Sequence, residues 1–255
     1  MKIVVCCKAV PGVVTDVKLE PDGKAVQYQG QFLAMNECDE NALEEAIVLK
    51  RAHGGEVTVL TMGTITAQDV LFLALAKGAD RAIRIDAQLQ DPQAASIVLA
   101  ATLAKLEYDL VLTGTQSRDT LSGQVGIAVA ERLGLPFAYA VVQVDVNSDN
   151  TIQVRKELAG GRYAQVELSL PALLCVQTGI QPLTYVPPAR MVRARQQPVR
   201  SFSLADLGLE PGELIPHGYR FLDVFRPERT AQVEFLEGGT QEIASTLLGK
   251  IREVL

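Results

Sequence analysis

Glycine and hydroxyl-bearing residues concentrate in one stretch of the chain, VLTGTQSRDTLSGQVG at residues 111–126. An apolar run ends there, and Asp119 lies in the middle of the polar part. Glycines, hydroxyls and free backbone N–H groups at the start of a helix are suited to binding a phosphate. The alternative is an ordinary strand–loop–helix turn capped by Ser122. Neither G-x-x-x-x-G-K-[ST] nor a complete G-x-G-x-x-G occurs in the loop, so the P-loop and Rossmann fingerprints are absent.

Residue types that catalyse bond changes are not grouped in a familiar pattern. His53 and His217 are the two histidines, and neither G-x-S-x-G nor H-E-x-x-H occurs. Four acidic residues at a helix start are predicted to form a solvated face that complements the helix dipole; they are Asp39, Glu40, Glu44 and Glu45. Four arginines between residues 190 and 200 predict either a solvated segment or a surface that docks an acidic partner.

Strands and helices alternate through the first half of the chain. Strands are predicted at residues 2–7, 56–63, 81–86 and 108–114. Helices are predicted from Asn36 or Asp39 to Gly54, and over 66–80, 91–107 and 122–135. This alternation predicts βαβ units and a parallel sheet. Ligands of such sheets bind beyond the carboxyl ends of the strands, which here lead into residues 7–11, 61–64 and 114–126.

The pattern changes after residue 136. Residues 138–146, 151–159 and 162–170 alternate apolar and polar side chains, which predicts half-exposed antiparallel strands. Residues 172–177 are predicted to form a further buried strand, and residues 178–200 are predicted to be irregular. A lone helix is predicted at 242–255, with an apolar stripe of Ile243, Leu247, Leu248 and Ile251.

Composition excludes several classes of protein. The net charge is −6, aromatic residues make up 5% of the chain and Trp is absent, which argues against a nucleic-acid binder. No apolar run reaches the length of a membrane span, and the N-terminus does not read as a targeting segment. The four cysteines lack metal-ligand spacing and are predicted to be reduced, small apolar residues of a cytoplasmic protein.

Five motifs in order resemble the β subunit of electron transfer flavoproteins, over essentially the whole chain. They are VCCKAVP, MNECDENALEEAIVLK, ALAKGADRAIRI, DLVLTGTQSRD with GQVG, and VRKELAGGRYAQVELSLPALLCV. The chain departs from the family pattern in three places. Glu37 replaces the family's Pro, and Thr120 and Leu121 stand where many members have acidic residues. Bifurcating members tend to have Thr-Ala-Gln-Val-Gly and ordinary members Asn-Gln-Thr-Gly, where this chain has Ser-Gly-Gln-Val-Gly at residues 122–126.

The resemblance implies an α/β, Rossmann-like domain with a parallel sheet that binds an adenine nucleotide, an antiparallel hairpin extension and a C-terminal arm. Family members work as heterodimers with an α subunit that holds FAD, and are electron carriers rather than enzymes. They pass electrons from flavin dehydrogenases such as acyl-CoA dehydrogenases to a quinone oxidoreductase, with AMP in the β-subunit site. Bifurcating members hold a second FAD there, reduced by NADH. The implied cofactor-binding residues are Cys6, Lys8, Ala9, Asn36, Met62, Gly63, Gly114, Gln116, Asp119, Ser122, Gly123, Gln124, Val125 and Gly126.

The resemblance also implies two surfaces for partner proteins. A docking segment at residues 182–195 would contact the dehydrogenase through Tyr185, Val186, Arg190, Met191 and Arg193. Residues 1–199 would form the nucleotide-binding domain, and residues 200–255 an arm that contacts the α subunit. A stand-alone nucleotide-sensing module of the universal-stress type is the alternative of another class, and it would lack residues 137–255. An ATP-pyrophosphatase would need Ser-Gly-Gly-x-Asp-Ser after the first strand, where this chain has CCKAVPG.

Overall fold

The computed structural model describes residues 1–12, 18–21, 23, 32–89, 91–147, 149–214, 224–225 and 233–254. The chain divides into two compact units. The first comprises Met1–Lys18 with Gln27–Phe221, and the second comprises Leu19–Val26 with Leu222–Leu255. Residues 13–17 and 24–31 of the predicted loop, and His217 in the tail, lie outside the described residues.

A nine-stranded sheet forms the centre of the first unit, and a two-stranded antiparallel sheet accompanies it. The strands in chain order are β1 (Lys2–Cys6), β2 (Ala9–Pro11), β3 (Leu33–Met35), β4 (Glu56–Met62), β5 (Arg81–Ile85), β6 (Leu110–Gly114), β7 (Phe137–Val146), β8 (Thr151–Leu158), β9 (Arg162–Ser169), β10 (Ala172–Val176) and β11 (Val199–Phe202). The helices are α1 (Glu37–His53), α2 (Gln68–Lys77), α3 (Pro92–Leu103), α4 (Val125–Leu133), α5 (Pro188–Ala194) and α6 (Thr240–Val254). Short 3₁₀ turns cover Ile65–Ala67, Ala205–Leu207 and Pro211–Leu214.

The order of the large sheet is β11-β5-β4-β1-β6-β10-β7-β8-β9, and the smaller sheet pairs β2 with β3. The seven strands from β11 to β7 are mutually parallel, whereas β7, β8 and β9 pair antiparallel. The chain adds β4 and β5 on one side of β1 and then crosses to add β6 on the other side, so the switch in strand order lies at β1, between β4 and β6. Cys6 marks this point, because it is in register with Leu60 of β4 on one side and Thr113 of β6 on the other.

Helices cover both faces of the parallel strands, as right-handed crossovers require. Leu43 of α1 and Leu71 of α2 belong to the core on one face, and Val98 of α3 and Val129 of α4 belong to the core on the other. Strand β1 is buried from both sides, which is why its sequence is a continuous apolar run. The adjacent residues Cys6 and Cys7 consequently contribute to opposite cores.

Local signals account for several boundaries. The Asp91 side chain caps α3 by accepting a hydrogen bond from Ala94 N at 2.8 Å, and Pro92 occupies the first helical position. Gly54 ends α1 with φ of 70°, a left-handed conformation that glycine adopts without strain. The predicted parallel sheet, the antiparallel extension and the buried strand at 172–176 are confirmed.

Three predictions about local structure are wrong. The helix predicted over 66–80 begins only at Gln68, after a 3₁₀ turn, and the one predicted over 122–135 begins at Val125, so Ser122 and Gly123 lie in the loop. The segment 178–200 is not wholly irregular, because it contains α5 and the first part of β11. Both are short elements supported by tertiary partners, since α5 packs on α2 and β11 pairs with β5. The predicted domain boundary at residue 200 stays a prediction, and strand β11 (Val199–Phe202) spans that position.

Candidate functional site

A buried carboxylate joins the two strand ends that meet at the switch in strand order. Asp39, in the first turn of α1, accepts a hydrogen bond from Lys8 N through Oδ2 and another from Gly114 N through Oδ1, each 2.8 Å long. Lys8 follows β1 and Gly114 ends β6, so the Asp39 side chain connects the ends of these two neighbouring strands. We call the edge of the sheet at these strand ends the crevice. The sequence predicted a solvated acidic helix start, and this prediction is wrong because Asp39, Glu44 and Glu45 are all buried.

Asn36 connects the start of α1 to the loop that follows β6. It occupies the N-cap position but makes no side-chain cap bond. Its Nδ2 donates to Gln116 O at 2.8 Å, its Oδ1 accepts from Arg118 N at 3.1 Å, and its own N–H donates to Lys8 O at 3.0 Å. The Asn36 amide therefore shapes the loop instead of capping the helix.

Lys8 closes the same arrangement from the other side. Its Nζ lies 2.8 Å from Asp119 Oδ2 and donates to Ser117 Oγ at 3.1 Å. Burial raises the pKa of Asp119, but hydrogen bonds from Lys8 and Ser117 and the Lys8 charge outweigh it, so this pKa lies below its ordinary value. Asp39 differs: burial raises its pKa to about 6 despite the N–H groups of Lys8 and Gly114.

The loop between β6 and α4 contains one unusual backbone conformation. Leu121 has φ of 53° and is exposed, although a branched side chain is disfavoured in that region. Its N–H donates to Ser117 O at 2.8 Å, which closes a turn over residues 117–121. Such conformations persist where the surroundings impose them, and they are frequent at ligand sites.

The start of α4 combines close packing with uncapped N–H groups. Gln124 is the N-cap residue and makes no side-chain cap bond, so the first-turn N–H groups keep no intrahelical acceptor. A Cβ added to Gly126 would lie 2.6 Å from both Cys175 Sγ and Thr113 Oγ1. Gly126 is thus required for contact between helix and sheet. Gly123 adopts φ of 61° beside Tyr139, so it supplies the turn that leads into the helix.

The remaining predicted site residues occupy the strand ends around this crevice. Cys6 ends β1 and is buried, and Ala9 lies in β2 opposite Met35 of β3. Met62 ends β4, and Gly63 follows it on the far side of β1 from β6. Gly63 donates to Ile85 O at 3.0 Å and accepts from Arg84 Nη1 at 2.9 Å, so its hydrogen bonds run towards β5.

Hydrogen bonds join five of the predicted residues into one network: Lys8, Asn36, Gly114, Gln116 and Asp119. Lys8 bonds directly to Asp119 and Asn36, and Asn36 bonds directly to Gln116. Asp39 connects Gly114 to Lys8, and Ser117 accepts a further bond from Lys8. Sequence reasoning missed Asp39 and Ser117 as members of the site. Their positions in the sequence could have indicated them, because Asp39 lies three residues after Asn36 and Ser117 two residues before Asp119. The four cysteines are free, buried thiols; they are Cys6, Cys7, Cys38 and Cys175.

Comparison with known proteins identifies the family. The electron transfer flavoprotein domain family matches residues 26–207. The electron transfer flavoprotein subunit beta of Clostridium acetobutylicum is 33% identical over 99% of this chain and 98% of its own. The chain belongs to the electron transfer flavoprotein β-subunit family. The Methylophilus methylotrophus subunit beta is 31% identical, and the caffeyl-CoA reductase–Etf complex subunit CarD of Acetobacterium woodii is 33% identical, each over 99% of this chain and 98% of its own.

Family membership excludes the alternative of a stand-alone nucleotide-sensing module. Members of the β-subunit family transfer electrons together with an α subunit and redox partners. The relatives extend across residues 137–255, the part that a stand-alone nucleotide-sensing module would lack. Within the described residues, none of the helices has the length and apolar character needed to cross a membrane. The same residues hold no cluster of three or more His, Cys, Asp or Glu side chains placed to bind a metal.

Proposed function

We propose that this chain is the β half of a heterodimeric electron carrier and that its crevice holds AMP in a structural role. The observation that carries this proposal is the loop from Gly114 to Gly126. Asp39, Asn36 and Lys8 hold this loop by hydrogen bonds and an ion pair. The loop leads into the start of α4, where no side chain caps the helix. The N–H groups and positive dipole end of a helix favour a phosphate, and the Lys8 ammonium lies at the same edge. The residues present therefore fit a nucleotide phosphate.

In this role the chain holds and orients a nucleotide and catalyses no bond change itself. When bound in the α subunit, FAD supplies the redox chemistry. The Asp39 carboxylate fixes the distance between the ends of β1 and β6, and Asn36 fixes the loop that covers them. We place the heterodimer in the cytoplasm, which the four free, buried cysteines support.

Nucleotide content tests the proposal. The heterodimer, co-expressed with an α subunit, would be denatured and the released FAD and AMP quantified by chromatography. We expect one FAD and one AMP per heterodimer. Absence of any nucleotide beyond the α-subunit FAD would overturn the assignment of this crevice.

The alternative is a second FAD in the same crevice, reduced by NADH in a bifurcating carrier. Gln124–Val125–Gly126 favours it, because this triplet agrees with the sequence pattern of bifurcating members. Two FAD and no AMP in the same measurement would select this alternative. Bleaching of the additional flavin by NADH would then show whether it is reduced directly.

We further propose that the docking segment contacts a flavin dehydrogenase and that the carrier passes its electrons to a quinone oxidoreductase. Tyr185 is 78% exposed and stands beside the exposed Leu183, whereas Val186 and Met191 are half-buried and pack against the core. Arg190 and Arg193 are exposed next to them. An apolar centre with a cationic rim suits a partner with an apolar patch bordered by acidic residues.

Reduction of the heterodimer flavin by an acyl-CoA dehydrogenase of the source organism tests this contact. Tyr185→Ser should raise the KM for the heterodimer about tenfold, as loss of an aromatic anchor does. Lys156→Ser, on the antiparallel extension, serves as a control on a different surface. An unchanged KM for Tyr185→Ser would remove the docking segment from the proposal.

The second unit is proposed to contact the α subunit through α6. Leu247, Leu248 and Ile251 are each about half exposed, and they share one face of this helix. Because β11 belongs to the large sheet, a deletion that tests the arm should start at residue 240 and not at 200. We expect the shortened chain to fold but to lose the heterodimer in size-exclusion chromatography. Retention of the heterodimer would contradict this role.

A further inference from the structure

The chain between β10 and α5 has little regular structure, and side chains of α1 hold it in place. Four hydrogen bonds do this, each 2.8 Å long: Gly179 N to Asn41 Oδ1, Gln181 Nε2 to Glu45 Oε2, and the N–H and hydroxyl of Thr184 to the two carboxylate oxygens of Glu44. The three acceptor residues are spaced i, i+3 and i+4, so they share one face of the helix. This polar face of α1 thus fixes the path of the chain over residues 179–184.

Thr184 is bound most completely. Its N–H donates to Glu44 Oε1 and its hydroxyl donates to Glu44 Oε2, both at 2.8 Å, while its carbonyl accepts from Lys77 Nζ at 2.9 Å. Every polar group of this residue is therefore engaged by one carboxylate or one ammonium group. Its flanking residues, Leu183 and Tyr185, are 47% and 78% exposed.

The two groups that bind Thr184 form a buried ionic cluster. Lys77, the last residue of α2, is 3% exposed, and its Nζ pairs with Glu44 and with Glu40 Oε1, the latter at 2.8 Å. Buried charges are tolerated only when paired and hydrogen-bonded, so the positions of these groups are tightly constrained. Because Thr184 is hydrogen-bonded to both groups, its position is constrained as well, although it lies outside any helix or strand.

We propose that Glu44 and Lys77 are positioning residues for partner recognition. They fix the backbone at Thr184 and thereby present Leu183 and Tyr185, as a preformed apolar pair, to the partner flavin dehydrogenase. Preformed contacts bind more tightly because less conformational entropy is lost on association. This inference rests on the proposed docking function of the segment and adds the buried residues on which its geometry depends.

Hydrogen exchange on the full chain tests the positioning without any partner. Glu44→Ala removes both acceptors of Thr184 but leaves Lys77 paired with Glu40, so we expect the fold to survive. The peptide covering residues 183–186 should exchange about tenfold faster or more, with β10 and α2 unchanged. Glu45→Ala is the matched control, since this adjacent buried carboxylate contacts only the Gln181 side chain in that stretch.

Unchanged exchange over 183–186 in Glu44→Ala would overturn the proposal, as would an equal increase in Glu45→Ala. If Glu44→Ala does not accumulate as folded protein, Glu44→Gln replaces it. The glutamine keeps one acceptor and loses the other, so an intermediate acceleration is expected, and none would again overturn the proposal.

Kinetics with the heterodimer separate this inference from the docking function. Glu44→Ala should raise the KM for the heterodimer with the acyl-CoA dehydrogenase several-fold, about as far as Tyr185→Ser, while kcat and FAD content stay unchanged. A merely structural role would lower the FAD content or the folded fraction instead. If Tyr185→Ser raises KM and Glu44→Ala does not, docking stands and positioning fails. If neither raises KM, both fail.

Discussion

Two buried carboxylates on α1 hold two different parts of the molecule. Asp39 joins the ends of β1 and β6 at the proposed nucleotide crevice, and Glu44 binds the chain that enters the proposed docking segment. Burial acts on both in the same direction, but their pKa values move in opposite directions. The pKa of Asp39 rises to about 6, whereas that of Glu44 falls below its ordinary value.

The difference arises from the partners. Asp39 is bound by the backbone N–H groups of Lys8 and Gly114, which offset only part of the cost of burying its charge. Burial also raises the pKa of Glu44, but the Lys77 ammonium together with the N–H and hydroxyl of Thr184 outweighs that cost. A cation in direct contact therefore keeps Glu44 ionised, while Asp39 can take up a proton in mildly acidic solution.

The largest expected effect is on the ionic cluster at the docking segment. Lys77→Met leaves Glu40 and Glu44 without their cation, and we expect a loss of about 3–5 kcal/mol in the free energy of unfolding. Urea denaturation measures it. Arg81→Gln, which removes the exposed pair between Arg81 and Glu56, should cost less than about 1 kcal/mol. Similar losses for both variants would contradict the claim that burial makes the difference.

The second effect concerns the protonation of Asp39. Because its folded pKa of about 6 exceeds the ordinary value of 3.8, the folded state binds the proton more tightly than the unfolded state. Its contribution to stability is therefore greatest at low pH and falls as pH rises from about 4 to about 6. At roughly 1.4 kcal/mol per pKa unit, the decrease is about 3 kcal/mol.

Asp39→Asn abolishes that titration and isolates it. Urea denaturation between pH 4 and pH 7 should show the stability of the wild type falling relative to the variant as pH rises. The amide can accept both N–H groups only through its single oxygen, so the nucleotide content of the heterodimer should also decrease. A constant difference between the two proteins across this pH range would contradict the assignment.

Close packing at the crevice gives the third expected effect. Gly126→Ala places a Cβ against Cys175 and Thr113 and should displace α4 from the sheet, at a cost of about 1–3 kcal/mol. Adding Cys175→Ala removes one of the two clashing atoms and should restore part of that stability in urea denaturation. If the double variant were no more stable than Gly126→Ala, the contact with Cys175 would not limit the packing.

The smallest expected effect is the pH dependence of Glu44, and its sign is opposite to that of Asp39. A lowered folded pKa gives stability that is present above the unfolded pKa and lost as pH falls through the folded pKa. Stability of the wild type relative to Glu44→Gln should therefore rise with pH below about 5. Thermal unfolding from pH 3 to pH 5 measures it, and a difference that falls over this range would contradict the assignment.

Much of the architecture follows from local signals. Periodic apolar residues, the Pro92 and Gly54 boundaries and the alternation of strands with helices predicted the parallel sheet and its extension. Because ligands bind at the carboxyl ends of parallel strands, the same reading predicted the loops of the crevice. Gly114 and Asp119 were identified this way, whereas Asn36 and the roles of all three came from the family motifs.

The amino-acid sequence by itself thus determined the type of sheet, the loops at the carboxyl ends of its parallel strands and the family. Only the tertiary structure decided that Asp39 and Glu44 are buried, that Gly126 packs against the sheet and that β11 pairs with β5. Each of these depends on residues distant in the chain: Gly114 for Asp39, Thr184 for Glu44 and Cys175 for Gly126. An acidic helix start looks the same in sequence whether water or a distant amide binds it, because burial and pairing are set by the strand order that brings those partners together.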